Sequence, residues 1–173
     1  MALSFNITEQ EAKQASIPHE IFLTNLILNH ILVFVTILSA SSIAQYVVVV
    51  PAASILSMLY LIWGAYRAKR NATWYVNGHW QLCAKRNLLF MGMVMLVSLV
   101  FAAMWLMTGG HMRPQHWAVG GAVFLPAMVT VLILIILESE ALHHARIGIL
   151  PNWVLERFPV DAPKPIEDLA TEA

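Results

Sequence analysis

The sequence predicts an all-α membrane protein with four transmembrane helices in two helical hairpins, followed by a short cytoplasmic amphipathic helix. Three observations carry this prediction. First, 59% of the 173 residues are hydrophobic and only 12% are charged, about half the charged fraction of a soluble domain. Second, residues 21–66 contain no Asp, Glu, Lys or Arg, and residues 87–137 contain only Arg113. Each region is long enough for two crossings of about 20 residues. Third, the segment between them, 67–86, holds Arg67, Lys69, Arg70, Lys85 and Arg86. Lys and Arg collect on the cytoplasmic side of a bilayer, so this segment sets the threading. Both termini and residues 67–86 are expected in the cytoplasm of a bacterial cell, with the protein in the cytoplasmic (inner) membrane.

The chain divides into a cytoplasmic N-terminal arm (1–17), a four-helix transmembrane domain (18–148) and a cytoplasmic C-terminal segment (149–173). The arm has no basic region and no cleavage site typical of a secretory signal. Pro18 and Glu20 suit a helix start, because proline fits a first turn and an acid favours the positive end of the helix dipole. The first span covers 21–41, and the uncharged small residues around Ser39–Gln45 turn the chain. The second span covers 46–66, with Pro51 expected to kink it. Ala53, Ser57 and Gly64 form a small-residue face at which helices approach closely. Asn25, Asn29 and Thr36 form a polar stripe on the first span, another packing feature.

Within the basic segment, Asn77-Gly78 allows two readings. Asn-Gly between alternating residues is a β-hairpin signal. The favoured reading continues the second helix to about Val76, uses Gly78 as a left-handed stop and starts the third helix near His79. The third span covers 88–108. A short loop containing His111 and His116 follows, and the fourth span covers 117–137, with Pro126 inside it. That helix is expected to run on to Gly148. Leu150, Val154 and Phe158 then define the apolar side of a short helix suited to the membrane surface. The remaining tail has a composition suited to flexibility.

Few residues suggest chemistry. His30 falls near the midplane of the first span, where an ionisable group is a functional candidate. It is a candidate cofactor residue, as a haem ligand, quinone contact or proton relay, against the plainer reading of a hydrogen-bonded neutral ring. Glu140 stands at i,i+3 and i,i+4 from His143 and His144, a carboxylate–imidazole spacing used by metal-binding bundles. His79 and Cys83 offer further nitrogen and sulfur for a zinc-like set. The competing reading is a solvated helix end. Met104, Met107 and His111 are spaced for Cu(I), but methionine is also a common filler of apolar helices.

The lone Cys83 excludes a mechanism requiring a cysteine pair. Zero net charge and the lack of a recognition motif give no sign of nucleic-acid binding. No phosphate-binding loop, nucleophile elbow or zinc-protease motif is present. The expectation is therefore a non-enzymatic accessory or structural subunit of a larger membrane complex, whose partners are lipid and other subunits or copies of itself. A haem- or metal-binding redox subunit is the first alternative, and a small transporter or channel the second. No cofactor is favoured, with haem or a transition metal as the candidates.

Overall fold

The computed structural model describes residues 2–33, 35, 49–111, 113–157 and 167–168. It is mostly helical. Strand β1 (Ala2–Ser4) leads to α1 (Glu9–Thr24), which continues into a π-helical stretch, Asn25–Val33. Helices α2 (Val49–Asn71), α3 (Trp74–Met107) and α4 (Pro114–Ile147) follow. Strand β2 (Ile149–Pro151), the short helix α5 (Asn152–Arg157) and strand β3 (Glu167–Asp168) complete the described chain.

Helices α3 and α4 are long and apolar enough to cross a membrane by length and composition. The first expected span falls partly outside the described residues, and Thr36, the whole 39–45 turn and residues 46–48 of the second span lie outside them. Pro51 is the third residue of α2 as described, so the expected kink lies at the edge of what is seen.

The first helix starts earlier than Pro18 suggests. Thr8 caps it: the Thr8 hydroxyl accepts from the Glu11 amide at 3.2 Å, and the Glu11 carboxylate accepts from the Thr8 amide at 3.0 Å. This reciprocal box satisfies two amide groups left over at a helix start. Pro18 is an interior residue, where it removes the amide that would bond to the carbonyl four residues back. Hydrogen bonding to the Thr8 backbone, opposed by slight burial, holds Glu11 below the usual carboxylate range. A depressed carboxylate stabilises the fold above its unfolded pKa, and that contribution disappears as pH falls through the folded value. Glu11→Gln is thus expected to lower the melting temperature slightly at neutral pH and leave it unchanged in strong acid. Parallel melting curves of the two proteins across pH check this.

Asn77 and Gly78 lie within α3, so there is no β-hairpin at this point. The helical reading holds, but the break falls at Ala72–Thr73 and not at Gly78. Gly78 is needed for another reason: a β-carbon there would sit 2.8 Å from a Leu150 methyl. Leu150 and Val154 are fully buried and pack with Phe5, Tyr75, Val76, Ala141 and Ala145. The C-terminal segment is therefore docked on the helices, and its apolar side is not free to lie on a membrane surface. Phe158 is outside the described residues. The sheet has the order β2–β1–β3, antiparallel throughout, with Leu3 opposite Leu150 and Asp168.

A second core joins Phe22, Leu26, Met58, Leu61, Phe90, Val131 and Leu134. The buried positions recur with alternating steps of three and four: Ala15, His19, Phe22 and Leu26 on α1 and its extension; Val131, Leu134, Glu138, Ala141 and Ala145 on α4. This three-and-four spacing keeps one stripe of each helix, its seam, turned toward its neighbours. On α2 the seam is Ser54, Met58, Leu61, Ala65 and Ala68. Ala53 and Ser57 flank it half-buried, whereas Gly64 is buried against the Trp80 ring. The close approach at Gly64 is thus an internal contact between α2 and α3.

Candidate functional site

Between the two cores, one layer of the seam is polar. His19 comes from α1, His79, Cys83 and Arg86 from α3, and Glu138 from α4. On α3 the two steps His79 to Cys83 to Arg86 follow the same four-and-three spacing as the apolar seam. All three helices therefore turn a polar residue inward at the same level. His19, His79, Cys83 and Glu138 are all 0% exposed.

The geometry is a chain of short contacts. His19 Nδ1 donates to Glu138 Oε2 at 2.6 Å. His19 Nε2 and His79 Nδ1 share a hydrogen bond at 3.0 Å. Arg86 Nη1 donates to Glu138 Oε1 at 3.0 Å and to the Leu137 carbonyl at 2.9 Å. The Cys83 thiol donates to the Pro18 carbonyl at 3.3 Å. A ring nitrogen of His19, Cys83 Sγ and a Glu138 oxygen all lie within 4.8 Å of one another. Below the layer, Asn87 donates to the Met58 carbonyl at 3.0 Å; above it, the Tyr75 hydroxyl donates to the carbonyls of His144 and Ala145.

Burial dominates the electrostatics. It holds His79 well below the usual imidazole range, with the His19 ring acting in the same direction and the Ile149 backbone opposing it. Burial also pushes the Cys83 thiol well above its usual range, and the Glu138 carboxylate adds to this. Both effects disfavour a charge away from water. His79 is thus a neutral ring and Cys83 a protonated thiol, while Glu138 faces a guanidinium. His79 Nε2 and Asn87 Oδ1 are buried without a hydrogen-bond partner among the described residues.

The residues singled out by spacing go elsewhere. Glu140, His143 and His144 remain at the helix surface: His144 Nε2 is 4.0 Å from Glu140 Oε1, and the Glu140 side chain is 60% exposed. They do not join His79 and Cys83 in one ligand set: His79 bonds to His19, and Cys83 lies with Glu138 on the opposite side of the same helix. His30 Nδ1 donates to the Asn25 carbonyl at 3.2 Å, and its ring stands edge-on to Phe90. Asn25 donates to Ser54 at 3.1 Å and accepts from Asn29 at 2.8 Å, so two members of the polar stripe are partnered within the chain. Thr36 lies outside the described residues.

This arrangement makes a direct expectation for His30. Gln retains a donor and should be tolerated. Leu loses the bond, at a cost of about 0.5–1.5 kcal/mol. Lys places a charge against the Phe90 ring that His30 now meets edge-on and should be tolerated least. Yields of folded protein in detergent, in the order Gln, Leu, Lys, check the assignment. A Soret band lost with both Gln and Leu would instead identify a haem ligand.

Two signals for the buried cluster were present in the sequence. Glu138 is the first acid after a long apolar run, where a carboxylate must find a partner. His79, Cys83 and Arg86 share a helix face once Asn77-Gly78 is read as helix. His19, 119 residues from Glu138, has no comparable local signal. No protein-family model, curated protein or solved structure matches this chain.

Proposed function

We propose that this chain is a small, non-enzymatic accessory subunit of a larger membrane assembly. The observation that supports it best is the complete burial of His19, His79, Cys83 and Glu138. A catalytic carboxylate, imidazole or thiol must reach the substrate's reacting atoms, and these four are enclosed by helices they hold together. The outward faces of α3 and α4 carry large apolar side chains, such as Leu96, Leu99, Leu125 and Ile136, suited to lipid or to neighbouring transmembrane helices. In this reading the chain crosses the bacterial cytoplasmic membrane four times, with both termini and the polar end of the bundle in the cytoplasm. Lipid and other subunits, or further copies of the chain, are its partners.

Purification from native-level expression in mild detergent tests the assembly. A larger particle with a reproducible second chain, or a defined oligomer, is expected; a clean monomer would count against the proposal. The threading has its own test. Cys83 is fully buried and is a poor target for a thiol reagent from either side, so exposed positions are needed. With Cys83→Ser as background, Arg70→Cys should resist an impermeant reagent in intact cells, and Gly109→Cys should react. The reverse labelling would invert the orientation.

A groove favours a second reading, a small transporter or channel. It has a volume of about 470 Å³ and is lined by Glu20, Thr24, Asn25, Asn29 and Ser57, with Ile21 and Leu28. Polar stripe residues thus face an open space beside α1. Reconstitution in liposomes decides this reading: absence of solute or ion flux removes it.

A further inference from the structure

We infer that His19, Cys83 and Glu138 form a binding site for a borderline divalent metal of the zinc class, a role that goes beyond the accessory one proposed above. The first support is the donor set. One imidazole, one thiol and one carboxylate come from three different helices, with donor atoms within 4.8 Å of one another. Nitrogen, sulfur and oxygen in one set suit zinc, whereas an all-oxygen set would suit magnesium or calcium. Three protein donors leave one tetrahedral position open.

The second support is what surrounds the donors. Metal-binding histidines pass their other ring nitrogen to a hydrogen-bond partner, and metal-binding carboxylates are themselves held by hydrogen bonds. Both features are in place. With the metal on His19 Nδ1, the opposite nitrogen, Nε2, meets His79 Nδ1 at 3.0 Å. With Glu138 Oε2 on the metal, Oε1 is held by Arg86 at 3.0 Å. His79 and Arg86 thereby orient the ligands without binding the ion.

Loading requires a small rearrangement. His19 Nδ1 and Glu138 Oε2 are 2.6 Å apart across a hydrogen bond. Tetrahedral zinc with ordinary bond lengths needs about 3.3 Å between such donors. The ion replaces the proton between them, and a second proton leaves Cys83 as its thiolate binds. The thiolate and carboxylate together neutralise the 2+ ion. Arg86, with 22% of its side chain exposed, keeps its own charge in contact with water.

The test uses the full-length protein in detergent, with Zn²⁺ and Co²⁺ as probes. One zinc per chain is expected by elemental analysis after dialysis against weak chelator. Co²⁺ should give visible ligand-field bands of a tetrahedral site and a near-ultraviolet thiolate-to-cobalt band. Cys83→Ser should abolish the near-ultraviolet band, and Glu138→Gln should lose stoichiometric zinc. His79→Phe should weaken zinc binding about 10–100-fold, as loss of an orienting partner does. The double variant His143→Ala/His144→Ala, on the exposed face, should bind as the parent does. Circular dichroism and monodispersity of each variant separate metal loss from unfolding. Should Cys83→Ser fail to fold, the cobalt band of the parent decides the matter alone. Absence of that band in the parent overturns the site, as does zinc binding that survives Cys83→Ser and Glu138→Gln but is lost in the His143/His144 variant.

Discussion

Replacing Glu138 with leucine is expected to destabilise the protein by about 3–5 kcal/mol, the usual cost of stripping one partner from a buried ion pair. The carboxylate is 0% exposed and accepts from both His19 and Arg86. Leucine fills much of the same volume, so the loss is electrostatic and not a cavity effect. It strands the His19 donor with no water to replace the carboxylate. Arg86 loses one partner but keeps the Leu137 carbonyl and some solvent, which places the effect nearer the lower end of the range. Glu138→Gln keeps the acceptor oxygen and should cost less. The triple variant with Glu138, His19 and Arg86 all replaced by apolar residues should recover much of the loss, because removing a whole buried charged set is often close to neutral. Denaturant or thermal unfolding of the metal-free protein in detergent measures each step. A Glu138→Leu protein as stable as the parent would show that the buried cluster contributes nothing to the fold.

That cluster also marks where reading the sequence stops. The long helices were legible because charge-free runs and apolar length are properties of contiguous residues. The helical state of Asn77-Gly78 was legible from the good helix formers on either side, although the position of the break was not. Glu140, His143 and His144 attracted notice because their spacing is local, three and four residues apart. The same spacing places them on a face that the fold leaves exposed. Glu138, two positions earlier, points the other way into the seam, a difference set by about 200° of helical rotation. Its partners are 52 and 119 residues away, and no local pattern encodes such distances. The apolar side of the C-terminal segment was visible as well, but its surface was not. Leu150 and Val154 found Gly78 on α3, whose missing side chain makes the room they occupy.

The second large effect is expected at Gly64. A β-carbon built there falls inside the Trp80 ring's contact distance, 2.6 Å from Cη2 and 2.9 Å from Cε3. Even alanine must push the indole aside, and leucine must displace it altogether. Overpacking of this kind costs about 1–3 kcal/mol or more. The indole cannot yield freely, because Trp80 packs against both apolar cores. The informative partner is Trp80. Trp80→Ala removes the ring and leaves a cavity, so by itself it should destabilise. In the double variant the leucine at 64 occupies part of that cavity, and the combined loss should be smaller than the sum of the single losses. Contacting residues couple by about 0.5–3 kcal/mol in such cycles, whereas distant ones add. Unfolding free energies of the four proteins in one detergent give the coupling directly. Simple additivity of Gly64→Leu and Trp80→Ala would mean that α2 and α3 do not meet at this glycine.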